Sequence, residues 1–334
     1  ARITQNDYDS AKSNCNLAAL PAKVIPRYGV ICQRADLRLL PTPKFFFDDK
    51  SFQHYDDLQG TALDPAQPVL ILANSKDGAY SFVLTRDYSG WVSFGTVATT
   101  NRDTWLKYVN PKHFLVVTAN KKRVHVGGAW SILCQMGAVI PLEEAGSHDG
   151  KYKAILPVEV NGTLHEAKVA IAKDDTVHEG YLPCTPNNFT RLSLKFLGDV
   201  YGWGGMEESV DCSSFVQDVY RAMGIYIPRD ADQQEEAMAK STKLDRLSTA
   251  TRYQKVGEAP VGALLFKPGH VMMYLGKDAK GTPLAIHSAS SYFTFAGGKG
   301  EKHYIRKVLV SDLTYQNGKG VKTIDGMTNI GYVK

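Results

Sequence analysis

Cys212 stands at the expected start of a helix, in the segment Asp211-Cys212-Ser213-Ser214-Phe215-Val216. Thiols attack acyl carbons as thiolates, and a helix N-terminus with a nearby imidazolium can lower a cysteine pKa from about 8.5 into the working range. Two histidines, His270 and His287, follow later in the chain. The sequence therefore points to Cys212 as a nucleophile that a histidine could activate.

The two histidines fall on neighbouring strand-like segments. Residues 263–266 and 270–275 indicate strands joined through Lys267-Pro268-Gly269, and a further strand is expected over 284–287. Side chains alternate along a strand, and facing side chains on paired strands lie about 5 Å apart. We therefore expect His270 and His287 to meet, with Cys212 as nucleophile, His270 as base and His287 as the group that orients the base.

The helix that carries Cys212 has one apolar face. The pattern predicts a helix over 211–223 that Gly224 ends, and a shorter helix over 191–197. The apolar residues at helical spacing are Phe215, Val216, Val219, Tyr220 and Met223. Free N–H groups at the helix start could stabilise a thiolate and contribute to an oxyanion hole.

The first half of the chain has short β-runs broken by turn residues. Between about residues 24 and 172 these runs predict two small barrels in succession, with the joint near residue 103. After the proline-rich segment Leu182-Pro183-Cys184-Thr185-Pro186 the pattern changes to mixed helix and strand. The predicted domains are an N-terminal extension (1–23), two barrels (24–102 and 103–182) and a catalytic domain (183–334).

Composition excludes little but gives no support to several classes of function. The formal net charge of +5 is spread along the 334 residues, so we expect no nucleic-acid partner. We expect no transmembrane segment, and a mature form after removal of a signal peptide. The five cysteines lack zinc-type spacing, so we expect no metal and no cofactor; two disulfides with one free thiol, or five scattered thiols, fit equally.

A lone cysteine and histidine are more often structural than catalytic, but three further motifs surround Cys212. These are Tyr201-Gly202-Trp203-Gly204-Gly205, Ile227-Pro228-Arg229-Asp230-Ala231-Asp232-Gln233 and Gly269-His270-Val271-Met272-Met273-Tyr274-Leu275-Gly276. In this order the motifs resemble the NlpC family of bacterial cell-wall cysteine peptidases over about residues 190–290. The resemblance implies an α+β fold: a papain-like (NlpC-type) catalytic domain preceded by two small SH3-like β-barrels.

The resemblance also implies residue roles. It assigns Cys212, His270 and His287 to nucleophile, general base and orienting group. It places Tyr201 beside the nucleophile. Asp211, Ser213, Arg229 and Asp230 match positions that shape the substrate pocket. Simpler explanations exist for four of them: Asp211 as a helix N-cap, Arg229 with Asp230 as a weak pair near the surface, and Tyr201 as a core aromatic. Ser214 and Ala263 depart from residues common in the family, Gly and Asp, without touching the proposed triad.

The first barrel carries a second resemblance. Residues 35–42, Ser75-Lys76-Asp77-Gly78 and Tyr88-Ser89-Gly90-Trp91-Val92 resemble the bacterial SH3-like barrel that precedes many cell-wall peptidases. In such proteins an acid and a tyrosine of this barrel can bind a free N-terminal L-alanine. Tyr88 matches the tyrosine, whereas Gln59 stands where the acid is expected. An amide binds an ammonium group less strongly than a carboxylate does, so Asp56 or Asp57 substitutes or the specificity differs.

The resemblance implies hydrolysis of the γ-D-glutamyl–diamino acid bond of peptidoglycan stem peptides or murein fragments, by a monomer outside the cytoplasm, in the cell envelope or periplasm. Two alternatives stay open at this point. The chain could be an envelope-binding protein with a vestigial peptidase domain, although all three triad positions carry competent side chains. It could also be a cytoplasmic enzyme that recycles murein peptides by the same chemistry.

Overall fold

The computed structural model describes residues 4–47, 54–128 and 130–333, so the first three residues of the expected N-terminal extension lie outside the described residues. The chain divides into two compact units. Unit 1 comprises Ala1–Tyr181 with Trp203–Met206, and unit 2 comprises Leu182–Gly202 with Glu207–Lys334. Within the described residues, no helix is long and apolar enough to cross a membrane.

Unit 1 is mostly β-structure with two helices. The helices are α1 (Gln5–Asn14) and α2 (Arg102–Val109), and short 3-10 turns lie at Leu17–Ala19, Phe94–Thr96 and Trp203–Glu208, the last of which runs on into unit 2. The strands are β1 (Arg27–Ile31), β2 (Ala35–Arg38), β3 (Gln59–Leu63), β4 (Pro68–Asn74), β5 (Tyr80–Leu84), β6 (Ser89–Ser93), β7 (Val97–Thr100), β8 (Phe114–Val117), β9 (Lys121–Gly127), β10 (Trp130–Gln135), β11 (Val139–Pro141), β12 (Lys151–Val160), β13 (Thr163–Ala172) and β14 (Val177–Glu179).

The two larger hydrophobic cores among the described residues of unit 1 lie between these strands. The strand order of the largest sheet is β12-β13-β7-β1-β4-β5-β6-β2-β3, and β10-β9 and β11-β8-β14 form two smaller sheets. One core, centred on Leu37 and Val83, lies among the strands from β1 to β7. The other, centred on Leu115 and Ile140, lies among the strands from β8 to β14. The turn Asn161-Gly162 joins β12 and β13 and has positive φ at both residues, as a two-residue type I′ hairpin turn requires.

Unit 1 also contains a short segment, Trp203–Met206, that lies between the two parts of unit 2 in the sequence. Trp203 donates from Nε1 to the Asp56 carbonyl at 3.1 Å, and Gln59 donates from Nε2 to the Gly204 carbonyl at 3.0 Å. Gly204 has φ +56, and a Cβ added to it would lie 2.6 Å from Cγ of Gln59. The segment 203–206 is therefore packed closely within unit 1. Residue 204 must be glycine, because its φ is positive and because no room is left for a Cβ atom.

Unit 2 is an α+β unit built around one antiparallel sheet. Its helices are α3 (Pro186–Leu194), α4 (Cys212–Arg221), α5 (Ala231–Glu236), α6 (Thr249–Glu258) and α7 (Thr323–Gly326). Its strands are β15 (Lys240–Lys243), β16 (Leu264–Lys267), β17 (His270–Lys277), β18 (Pro283–Ala296), β19 (Lys299–Ser311) and β20 (Asn329–Tyr332), in the order β15-β20-β16-β17-β18-β19.

Helix α4 begins where the sequence predicts and packs on β17 and β18. Its apolar face is fully buried, from Phe215 to Val219. The predicted helix over 191–197 is misplaced, because α3 begins at Pro186 and ends at Leu194. The Thr185 hydroxyl accepts from the backbone N–H of Asn188, and a proline is well suited to the first helical position, so the helix starts five residues earlier than its apolar pattern suggests.

Candidate active site

The start of α4 is fixed by a reciprocal pair of caps. Asp211 accepts from the backbone N–H of Ser214 at 2.8 Å, and the Ser214 hydroxyl accepts from the backbone N–H of Asp211 at 3.0 Å. This capping box satisfies two backbone donors and sets the direction in which the chain enters the helix. Cys212 is the first helical residue and is 9 % exposed. Ser214, which departs from the glycine common in the family, is therefore part of the cap.

Asp211 and Arg229 form a buried ion pair at the start of the helix that begins with Cys212. Arg229 donates from Nη2 to Oδ2 of Asp211 at 2.6 Å, and from Nη1 to Oδ1 of Asp211 at 3.2 Å and to the Ser213 hydroxyl at 2.8 Å. Although burial acts to raise it, the Arg229 guanidinium holds the pKa of Asp211 below its ordinary value. Asp211 is thus more than an N-cap, and Arg229, at 3 % exposure, is not on the surface.

The two predicted histidines meet. Nε2 of His270 lies 2.8 Å from Nδ1 of His287, and Nε2 of His287 lies 3.2 Å from the Ser311 hydroxyl. If His270 carries its proton on Nε2 and donates it to His287, then His287 carries its own on Nε2 and donates to Ser311. That arrangement leaves Nδ1 of His270 as a free acceptor. The three side chains form a hydrogen-bonded relay that couples the tautomer of His270 to that of His287.

Cys212 lies beside the strand that begins with His270. The backbone amide of Val271, the residue after His270, favours its thiolate, as do Arg229 and the amide of Ser213. Burial is the larger effect, and together with the Asp211 carboxylate it raises the pKa of Cys212 to about 11. The acidic thiol suggested by its helix-start position is therefore absent from the ligand-free site, where Cys212 is a neutral thiol at neutral pH.

Both histidines are also neutral in this site. Burial, with a smaller contribution from the positive charge of Lys267, lowers the pKa of His287 to about 3. Burial, His287 and Lys267 together lower the pKa of His270 well below its ordinary value. A neutral His270 at neutral pH is able to accept a proton, which is the state that a general base requires.

The other predicted residues of unit 2 occupy different positions around α4. Tyr201 is buried, and its backbone N–H donates to the Arg306 carbonyl at 2.9 Å. It forms a bridge with Val210, two residues before Cys212. Asp230 is the residue before α5 and contributes to raising the pKa of Arg229. Both residues therefore belong to the structure around Asp211 and Cys212.

The predicted residues of unit 1 lie in the first core. Gln59 is 3 % exposed, and its amide donates to Oδ1 of Asp36 at 2.9 Å and to the Thr61 carbonyl at 3.0 Å, in addition to Gly204. Tyr88 is half-buried and packs against the same core. Asp56, considered above as a substitute acid, is fully buried and pairs with Arg38 at 2.6 Å.

The sequence did not single out three residues that support this site. Lys267 faces His270 across the β16–β17 hairpin, Ser311 ends the histidine relay, and Gln234 donates to the Ser213 carbonyl at 3.1 Å. Lys267 could have been found, because a two-residue Pro-Gly turn pairs its neighbours. Ser311 gave no signal, because its contact with His287 depends on the register of two long strands.

All five cysteines are free thiols in the structure, which favours scattered thiols over the two-disulfide alternative. Within the described ranges, no cluster of three or more His, Cys, Asp or Glu side chains has an arrangement that could hold a metal ion.

Comparison with known families agrees with the division of the chain. Residues 198–310 match the NlpC/P60 family, and residues 44–93 match an SH3 domain of the SH3b1 type. The first match includes the Cys212 helix and both histidines. The SH3 match contains residues of the hydrophobic core around Leu37 and Val83, among them Leu63, Val69 and Val92.

Two curated bacterial proteins match part of the chain. One is dipeptidyl-peptidase 6 of Lysinibacillus sphaericus, 35% identical over 91 residues, which are 27% of this chain and 29% of that protein. The other is gamma-D-glutamyl-L-lysine dipeptidyl-peptidase of Bacillus subtilis, 31% identical over 107 residues, which are 32% of this chain and 34% of that protein. The chain thus matches about a third of the length of these relatives.

Two solved structures share the fold over most of the chain. An NlpC/P60 endopeptidase from Photobacterium damselae subsp. piscicida has a TM-score of 0.85 at 18% identity, covering 98% of this chain and 78% of that one. An NlpC/P60 family protein from Bacillus cereus has a TM-score of 0.63 at 19% identity, covering 91% and 99%. At such low identity the likeness is one of fold.

Proposed function

Because residues 198–310 form an NlpC/P60 domain and the chain also carries an SH3b domain, we propose that this protein is a cysteine peptidase that hydrolyses the γ-D-glutamyl–diamino acid bond of peptidoglycan stem peptides. We further infer that unit 2 is papain-like and that the two cores of unit 1 are two SH3-like barrels. The observation that carries the proposal is the relay from His270 through His287 to Ser311, beside the helix that begins with Cys212.

In the proposed reaction the Cys212 proton moves to Nδ1 of His270 as Sγ attacks the γ-carbonyl carbon of the D-glutamyl residue. The helix N-terminus stabilises the negative oxygen of the tetrahedral intermediate. The C–N bond then breaks, and His270 returns its proton to the leaving amine of the diamino acid. Water, deprotonated by His270, hydrolyses the thioester and releases the γ-carboxylate, while the proton returns to Cys212.

The high thiol pKa and low imidazole pKa values suit a neutral resting pair. In that state proton transfer from Cys212 to His270 accompanies attack on the substrate, instead of preceding it as a stable ion pair. Asp211 and Arg229 then have a positioning role, because they fix the helix start. We propose that Ser213, Asp230 and Tyr201 contribute to the substrate pocket.

For the first barrel we propose recognition of a free N-terminal amine by Tyr88 together with an acid. The Asp36 carboxylate lies beside the Gln59 amide and is exposed, whereas Asp56 is neutralised by Arg38. Asp36 is therefore a better candidate than Asp56 for the acid that Gln59 does not supply. A preference for peptides with a free L-alanine amine is the expected consequence. The NlpC/P60 and SH3b matches support a location outside the cytoplasm, in the cell envelope.

The deciding experiment compares wild type with Cys212→Ala on the tripeptide L-Ala-γ-D-Glu-diamino acid, with and without N-acetylation. Mass spectrometry of the products should show the dipeptide and free diamino acid with wild type, and none with the variant. Cys184→Ala is the matched control, because this exposed cysteine lies in the same unit and should retain full activity. Activity that survives Cys212→Ala in a folded protein would refute the mechanism.

A further inference from the structure

Lys267 is held next to the catalytic base by a tight hairpin. Strands β16 and β17 are joined by Pro268 and Gly269 alone, and Gly269 has φ +70. The register of this hairpin pairs Lys267 directly with His270, so the two side chains leave the same face of the sheet with Cβ atoms about 5 Å apart. The position of the lysine is therefore fixed by the same turn that fixes His270.

The charge of Lys267 acts on all three members of the proposed triad. It contributes to lowering the pKa of His270 and of His287, and the Cys212 sulfur in turn acts to raise the pKa of Lys267. Burial is the larger influence and lowers the pKa of Lys267 from its ordinary value. The lysine ammonium is thus inside the site and is partly removed from water.

No described side chain or carbonyl forms an ion pair or hydrogen bond with Nζ of Lys267 in the ranges 4–47, 54–128 and 130–333. Its counter-charge is not the nucleophile at rest, because the Cys212 thiol is neutral at neutral pH. A half-buried ammonium without an anion is costly, and such groups in structures are normally paired. The site therefore has one positive charge that a substrate anion could satisfy.

The reaction places a carboxylate near this charge. His270 returns a proton to the nitrogen of the leaving diamino acid, and the α-carboxylate of that residue is only two bonds from the same nitrogen. We propose, on the basis of the peptidase function above, that Lys267 binds a carboxylate of the leaving diamino acid and so selects peptides that present one. The carboxylate has two possible sources: the α-carboxylate of a peptide that ends at this residue, or a carboxylate on its side chain.

Three peptides that share L-Ala-γ-D-Glu distinguish these sources. Their third residue is L-lysine α-amide, L-lysine with a free α-carboxylate, or meso-diaminopimelate with only its side-chain carboxylate free. We expect wild type to show kcat/KM about tenfold higher for at least one carboxylate peptide than for the amide, as a charge-assisted hydrogen bond would give. The peptide that gains identifies the source.

Lys267→Met should bring that ratio close to one, and Lys267→Arg should retain part of the preference. Lys280→Met, which removes an exposed lysine from the loop between β17 and β18, should leave the wild-type ratio. A ratio near one in wild type, or an unchanged ratio in Lys267→Met, would overturn the inference. A uniform loss on all three peptides would do the same, since it would mean that the lysine acts only on Cys212 and His270.

Binding gives the same ratio without turnover. In the Cys212→Ala background, calorimetric dissociation constants for the carboxylate and amide peptides should differ about tenfold, and the difference should vanish when Lys267→Met is added. If wild type cleaves none of the peptides, the peptidase proposal fails, while this binding comparison still decides the role of Lys267. If all are cleaved in a Cys212-dependent manner with equal efficiency, only the Lys267 inference fails.

Discussion

At the residue scale, the site combines a neutral thiol with a neutral relay of imidazoles. Burial dominates both effects, raising the pKa of Cys212 to about 11 and lowering that of His287 to about 3. Slow alkylation of Cys212 at neutral pH would therefore not argue against catalysis, because the thiolate forms only as the proton moves to His270. In the proposed reaction a site with no acidic thiol attacks an acyl carbon, because the neutral imidazole accepts the thiol proton during the attack.

The buried His287 makes stability depend on pH. In the unfolded chain His287 takes up a proton near its ordinary pKa of 6.5, whereas in the folded protein it stays neutral until about pH 3. Stability therefore falls as the pH drops from 6.5 towards 3. At pH 5 the difference amounts to about 2 kcal/mol, since each pH unit is worth about 1.36 kcal/mol. His287→Gln should remove this component from urea unfolding curves measured at pH 7 and pH 5.

The control for this prediction is His303→Gln on the neighbouring strand. His303 forms an exposed hydrogen bond with Thr294, so its loss should leave the pH dependence as in wild type. An equal fall in stability between pH 7 and pH 5 for wild type and His287→Gln would show that His287 is not held neutral in the folded protein. Titrating groups other than His270, whose pKa also depends on His287, are common to both proteins and cancel in the comparison.

The sequence predicted the meeting of His270 and His287 better than the contacts that support them. Motif order and strand alternation carry that information along the chain, and the structure brings the two histidines together. Ser311 follows His287 by 24 residues, and its contact depends on how β18 pairs with β19 through a register shift. The raised thiol pKa was also missed, because burial is a property of the packed unit and not of the helix start.

At the element scale, α4 depends on an ion pair that is almost wholly removed from water. Arg229→Met would leave the Asp211 carboxylate buried without its main partner, and removing one member of such a pair typically costs about 3–5 kcal/mol. We expect a loss of that size in the free energy of unfolding. Chemical denaturation followed by far-UV circular dichroism would measure it.

A double variant tests whether the loss comes from the orphaned charge. Asp211→Asn with Arg229→Met should be more stable than the sum of the two single losses allows, because no charge is left unpaired and asparagine still caps a helix. Lys255→Met provides the surface control, since its pair with Glu258 is exposed and its loss should change the stability little. Strictly additive losses in the double variant would contradict the explanation.

Strands were easier to predict than the starts of helices. β5 (Tyr80–Leu84) and β8 (Phe114–Val117) coincide with short apolar runs between turn residues, which leave few alternatives for the bounds of a strand. The first helix of unit 2 was placed too late, since its N-terminal turn is polar and is stabilised by Thr185 and Pro186 instead of by apolar spacing. Hydrophobic periodicity reports the buried face of a helix, while its start is decided by capping.

At the scale of the whole molecule, the boundary between units is not a single point in the sequence. The chain leaves unit 1 after Tyr181, returns to it for Trp203–Met206 and leaves again at Glu207. A linear division into barrels and a catalytic domain misses this return, because the sequence of 203–206 looks like part of the approach to Cys212. Gln59, predicted as a binding residue, donates a hydrogen bond from its side-chain amide to the Gly204 carbonyl within unit 1.

Gly204→Ala tests how strongly this segment stabilises unit 1. The added Cβ would lie 2.6 Å from Cγ of Gln59 at a residue with φ +56, so both overpacking and backbone strain oppose it, and we expect a loss of about 2–4 kcal/mol. The four tryptophans, Trp91, Trp105, Trp130 and Trp203, all lie in unit 1, so their fluorescence during urea unfolding follows that unit.

Gly78→Ala separates the two contributions to this loss. Gly78 has φ +72 but nothing within 4 Å of an added Cβ. Gly78→Ala should therefore lower the free energy of unfolding by the backbone strain alone, about 1–2 kcal/mol, with no steric overlap. If segment 203–206 is an integral part of the barrel unit, Gly204→Ala must lower the tryptophan unfolding midpoint clearly more than Gly78→Ala does. Equal midpoints would mean that the segment can move away at no cost, and that unit 1 is complete without it.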